Sequence, residues 1–203
     1  MDYPVFKEEM KSSYTILIPD MLPIHFKLII NILKKYGYHV ELLQTSTRAV
    51  VDEGLKNVHN DTCYPALLVI GQFINALKSG KYDVNRTALM LTQTGGGCRA
   101  SNYIHLLRKA LKKEFPQVPV ISLNLSGLEK GSGLSLTLPL LIKVVYAVFY
   151  GDLLMSLYNQ CKPYEIHSGE SESVREKWQE KLTTIFDKRE FIKCKKYCRM
   201  ILE

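Results

Sequence analysis

Two single cysteines stand where chemistry is most easily built. Cys63 sits in Asn60-Asp61-Thr62-Cys63-Tyr64-Pro65, just ahead of an apolar helical run. Cys98 sits in Thr92-Gln93-Thr94-Gly95-Gly96-Gly97-Cys98-Arg99, between a strand-like run and the next helix. A helix N-terminus carries partial positive charge and unpaired amides, which favours thiolate over thiol, and Arg99 adds a full charge beside Cys98. Both cysteines are therefore competent soft-metal ligands. The amides of Gly95, Gly96 and Gly97 would be close enough to a bulky group to donate to cluster sulfides. Two other uses of the same residues stay open. The glycines can be only a tight strand-to-helix turn with both cysteines as small apolar residues, or the loop can hold a phosphate of a nucleotide or coenzyme A. Two distant single cysteines are a weaker metal pattern than paired C-x-x-C motifs.

Other reactive side chains group around these loops. His59, just upstream of Cys63, is a candidate ligand, proton donor or base for a cysteine nucleophile, whereas His105 reads as a helical residue facing solvent or a strand. Asn102 and Tyr103 are placed to orient hydrogen bonds near Cys98, although Asn102 is equally a helix cap. Glu129 and Lys130 occupy a third loop. Cys161 follows a helical stretch, and Cys194 and Cys198 share one face of a C-terminal helix rich in lysine, which reads as a solvated or docking face rather than a metal site. Two phosphate signatures fail. Ser79-Gly80-Lys81-Tyr82 has tyrosine where a P-loop needs a hydroxyl residue, and Gly95 to Ala100 lacks the acidic ribose ligand of a dinucleotide fold.

The elements that must position these loops follow from periodicity. Tyr14 to Pro19, His39 to Leu43, Thr87 to Thr92 and Val118 to Leu123 read as strands. Met21 to Tyr36, Thr45 to Val58, Ala66 to Leu77 and Ser101 to Phe115 read as the helices between and after them. Such alternation predicts an α/β fold, a doubly wound and mainly parallel sheet with helices on its faces. Beyond Gly131-Ser132-Gly133 the strand signal ends. Leu136 to Tyr158 and Ser173 to Phe186 read as helices, with the polar Ser168 to Ser173 between them as a linker. Two parts are expected: an α/β cluster-binding domain over residues 1–135 and a helical extension over 136–203 packed on it, leading toward a further domain.

Composition narrows the function classes. The chain has 203 residues, 46% of them hydrophobic, enough for a core without disulfides. Its net charge of +7 is spread over helical faces, and no nucleic-acid-binding motif accompanies it, so no nucleic-acid partner is expected. Met1 to Ser13 contains Asp2, Glu8 and Glu9 and no export signal, which together with five cysteines points to a cytoplasmic protein with thiols or metal ligands. The apolar run Leu134 to Leu157 is broken by Pro139, Lys143, Gly151 and Asp152, so it reads as a buried amphipathic helix and not as a membrane span.

Three stretches together resemble one family. Asn60 to Ala66, Leu91 to Tyr103 and Val120 to Glu129, in that order and each reaching into a loop, are similar to the activase-related proteins of the 2-hydroxyacyl-CoA dehydratase superfamily. The resemblance implies a flavodoxin-like half of a dehydratase-type subunit that holds an iron-sulfur cluster, [4Fe-4S] or related, with Cys63 and Cys98 at the metal-ligand positions. It implies work in low-potential electron transfer, as a lyase or reductase component, with acyl-CoA as substrate class. An ATP-dependent activase, or a second dehydratase-like domain supplying a third cysteine, would be the partner. The alternative is a non-catalytic domain that binds a coenzyme A or nucleotide phosphate and assembles with others.

Overall fold

In the computed structural model of the chain, described over residues 3–59, 61–93, 102–124, 134, 137–188 and 190–202, four strands form one all-parallel sheet. The strands are β1 (Thr15–Pro19), β2 (His39–Leu43), β3 (Thr87–Gln93) and β4 (Val120–Asn124), ordered β2-β1-β3-β4. Thr15 pairs with His39 and with Thr87, and Leu89 pairs with Val120, so the carboxyl ends of the strands line one edge. This is the α/β architecture expected, and it is compatible with double winding.

The inner strands are mostly apolar because their middles are buried on both faces, whereas the edge strand β2 leaves His39 exposed and Glu41 half-buried. Leu17, Leu89, Leu91 and Val120 join one cluster with Phe73, Ile70 and Leu107, while Ile16, Ile18, Ala88, Met90 and Ile121 are also buried. The first cluster is closed by α3 (Tyr64–Lys78) and α4 (Tyr103–Glu114). Against α3 lies α2 (Arg48–Asn57) at unusually short range. A Cβ on Gly71 would stand 2.0 Å from the Val50 carbonyl oxygen, and one on Gly54 would stand 2.4 Å from that of Leu67. Only glycine permits this approach at both positions.

The chain divides into two compact units. The sheet with α2, α3 and α4 forms the first, residues 1–21 and 37–135. The second comprises residues 22–36 and 136–203, so it contains α1 (Pro23–Lys35), α5 (Leu138–Cys161), α6 (Glu170–Asp187) and α7 (Cys194–Leu202). In that unit His25, 4% exposed, meets Asp152 through Nε2 at 2.9 Å, and Gln179 donates to the Ile24 carbonyl at 2.9 Å. Tyr150 donates its hydroxyl to the Phe191 carbonyl at 3.0 Å.

Two expectations are corrected here. The polar Ser168 to Ser173 stretch is not a linker; Gly169, at φ +91°, caps α6, and Glu170 to Ser173 form its first turn. Glu165 explains this, because its carboxylate accepts from the amides of Gly169 and Ser171 at 3.0 and 3.2 Å and satisfies donors that the helix leaves open. Nor is α5 amphipathic. It buries Leu140, Ala147, Tyr150, Gly151 and Leu154 yet exposes Leu138, Leu141, Val145 and Phe149. The stretch Leu138–Tyr164 is long and apolar enough to cross a membrane by length and composition, a test that core helices of soluble proteins also pass.

Candidate functional site

The carboxyl edge of a parallel sheet collects loops and helix N-termini, and ligands bind where neighbouring strands send their connections in opposite directions. Here that point lies between β1 and β3. β1 leads on to β2 on one side, and β3 leads on to β4 on the other. α3 runs back toward the start of β3 and α4 begins after its end, so both helices start at this edge.

Cys63 is the N-cap residue of α3, extended at φ −60° and ψ 146°, and Pro65 in the first turn presets the helix. Its carbonyl accepts from the amides of Ala66 and Leu67 at 3.0 and 3.3 Å. Its thiol, half-buried against the core cluster, stands 3.0 Å from the Tyr103 hydroxyl. Tyr103 is the first residue of α4 and is buried, so its ring is fixed by the core while its hydroxyl reaches across to α3. A phenol donates to a thiolate and accepts from a thiol, so the contact serves either protonation state. Sequence reading named both residues but not their contact, because forty positions separate them and only the packing of α3 on α4 closes the gap.

Asp20 belongs to the same edge and was not anticipated. It follows β1 directly, its amide donates to the Leu43 carbonyl at 3.2 Å, and its carboxylate oxygen Oδ1 is buried. The signal available was its position, a carboxylate immediately after the first strand of a parallel sheet.

Other anticipated residues stand elsewhere. Asn102 occupies the N-cap position of α4, but its side chain makes no capping bond and is exposed. His59 is exposed and turned toward Asp61, with Nδ1 3.3 Å from the carboxylate and accepting from the Asp61 amide at 3.3 Å. His105 is exposed on α4, as one of its two expected environments allowed. Gly95, Gly96, Gly97, Cys98, Arg99, Glu129 and Lys130 lie outside the described residues.

The remaining cysteines belong to the second unit. Cys161 is exposed at the end of α5. Of the solvated or docking face expected of Cys194 and Cys198, the solvated form does not hold, since both are half-buried with their sulfurs 3.4 Å apart. Burial first, then the bond to Cys194, pushes the Cys198 thiol up to about 11. Tyr150 is raised too, by burial and then by Cys194. Among the described residues no group of three or more His, Cys, Asp or Glu side chains is arranged to hold a metal ion.

The failed P-loop pattern has a structural reason. Ser79 and Gly80 end α3 rather than start a helix, Gly80 at φ +72°, and Lys81 pairs with Glu41 on β2. Tyr82 joins them, donating to Glu41 at 2.6 Å.

No family model, curated protein or solved structure matches this chain.

Proposed function

We propose that the chain is an iron-sulfur cluster-binding component of a 2-hydroxyacyl-CoA dehydratase or activase type of system, acting in low-potential electron transfer. The observation that carries the reading is the Cys63–Tyr103 contact of 3.0 Å, where two helix N-termini meet at the carboxyl edge of the sheet. A partly exposed thiol in that field, beside a phenol donor, suits a thiolate ligand whose sulfur is hydrogen-bonded from outside the metal shell. Cys98 falls in sequence midway between the end of β3 and the start of α4. The order β2-β1-β3-β4 agrees with the first strands of a flavodoxin-like sheet, whose ligand sits between the first and third.

The described residues fit such a cluster in kind but not in number. Cys63 has the right softness, yet a [4Fe-4S] cluster is held by about four thiolates. The reading therefore requires Cys98 and further ligands from a second dehydratase-like domain or an ATP-dependent activase, with Gly95, Gly96, Gly97, Arg99 and Asn102 as its surroundings.

Iron and acid-labile sulfide, with electron paramagnetic resonance spectra, on protein reconstituted without oxygen test the reading. Stoichiometric cluster lost in a Cys63→Ser, Cys98→Ser variant is expected. Absence of cluster in the wild type, alone and with a candidate partner, would overturn it.

One observation favours a second reading. The N-termini of α3 and α4 converge on one edge, which favours a phosphate of coenzyme A or a nucleotide in a non-catalytic assembly domain. Calorimetric titration with coenzyme A in metal-free buffer separates the two: heat that survives Cys63→Ser supports the phosphate.

A further inference from the structure

A helix that is apolar all round is ordinarily buried all round. α5 departs from this. Its inner face packs on α1 and α6, so closely that a Cβ on Gly151 would stand 2.5 Å from the His25 ring. Its outer face carries Leu138, Leu141, Ile142, Val145, Val148 and Phe149, from 41% to 69% exposed. These positions repeat with a period of seven: Leu138 and Val145, Leu141 and Val148, Ile142 and Phe149. Seven residues make nearly two turns, so the six side chains line one face of the helix, the kind of face along which two helices can pack.

The size of the stripe is also telling. Six side chains at these exposures present roughly 500 Å² of continuous apolar surface, at the upper end of what a monomer leaves in water. Two such stripes face to face would remove about 1,000 Å² before any flanking residue is counted, close to the lower bound of a stable specific interface.

We propose that this stripe is the interface of a homodimer in which α5 packs antiparallel against α5 of a second copy, the two-fold axis passing beside Val145. The stripe carries no charge, so a copy meets no repulsion in facing itself. The next position of the same repeat is Asp152, whose side chain is 64% exposed while bound to His25. A parallel pair would stack Asp152 on Asp152 inside the seam. The antiparallel pair instead sets each Asp152 beside Leu138 at the rim, in water, and brings Leu141 onto Phe149 and Ile142 onto Val148 of the other copy. The inference is independent of the cluster reading.

Sedimentation equilibrium of the full chain in reducing buffer tests it. A species of twice 23.3 kDa is expected, falling to monomer in a Leu141→Lys, Val145→Lys variant with unchanged circular dichroism, since both side chains are exposed. In a Cys161→Ser background, Val145→Cys should cross-link to a covalent dimer under mild oxidation while Leu138→Cys should not. A wild type that stays monomeric at high micromolar concentration, a dimer that survives the double lysine change, or equal cross-linking at Leu138 would overturn the proposal. So would flotation with neutral phosphatidylcholine vesicles that the lysine variant loses, which would assign the stripe to lipid.

Discussion

The sulfur of Cys63 and the hydroxyl of Tyr103 stand 3.0 Å apart, the one on the N-cap residue of α3 and the other on the first residue of α4. The contact joins a residue of a loop to one seated in the core, and so it ties the start of α3 to the start of α4. Tyr103→Phe removes the hydroxyl without disturbing the ring and should cost about 1 kcal/mol. Urea denaturation of Tyr103→Phe, Cys63→Ala and the double variant checks the pairing: an interaction energy of at least about 0.5 kcal/mol is expected, and additive losses would show the two groups to be independent.

The close approach of α2 and α3 rests on two glycines. Gly71→Ala would drive a methyl group to 2.0 Å from a backbone oxygen, a contact no side-chain rotation relieves. Separation of the helices should cost roughly 1–3 kcal/mol or more, read as a lower urea midpoint at unchanged slope. Gly80→Ala provides the contrast. Nothing lies within 4 Å of its Cβ position, so only the left-handed φ of +72° is penalised.

An ion network on the first unit makes stability pH-dependent. Lys78 bridges Glu53 and Glu114 at 2.9 and 2.8 Å, and Lys56 adds a second contact to Glu53 at 3.1 Å. The bond from Lys78 holds the Glu53 carboxyl below its usual range, against an opposing effect of burial. A depressed carboxyl stabilises the fold above its unfolded value, about 4.3, and loses that contribution as the pH falls through the folded value. Lys78 is raised, by Glu114 first, so its share holds below the ordinary lysine value and fades as the pH climbs through the folded one. Lys78→Met should lower stability at neutral pH by on the order of 1 kcal/mol and flatten the acid limb, measured by melting between pH 3 and 7.

The thiols should separate by reactivity. Cys161 is exposed, whereas Cys198 is half-buried with its thiol pushed up to about 11. Mass-resolved alkylation with iodoacetamide near pH 8 should label Cys161 well before Cys198, because the thiolate is the reacting form. Comparable rates would show that the facing of Cys194 and Cys198 does not persist in solution.

Much of this fold was legible from period and punctuation. His39–Leu43 is the strand that alternation indicated, β1 and β3 each differ from expectation by one residue at one end, and β4 starts two residues later and ends one later than expected. Parallel strands buried on both faces leave unbroken apolar runs, which are hard to miss. What was hidden was tertiary. Ser168 to Ser173 looks like a linker by composition and becomes a helical turn because Glu165 reaches forward to cap it. Nothing in the sequence distinguishes Gly54 and Gly71, and only the structure shows that each admits the other helix. Cys194 and Cys198 are surrounded in sequence by Lys193, Lys195, Lys196 and Arg199, so charge outweighed the shared helix face on which both are half-buried.

α1 is joined in sequence to β1 and β2 but belongs with helices that follow 100 residues later. During synthesis it leaves the ribosome long before α5 and α6 exist, with Ile24, Phe26, Leu28 and Ile32 still lacking the cover those helices give their unit. At about 5–20 residues per second that interval lasts several seconds, ample time for an apolar helix to find wrong company. The helical unit is thus assembled last around its earliest member, and chaperone capture of the nascent chain would be expected to begin there.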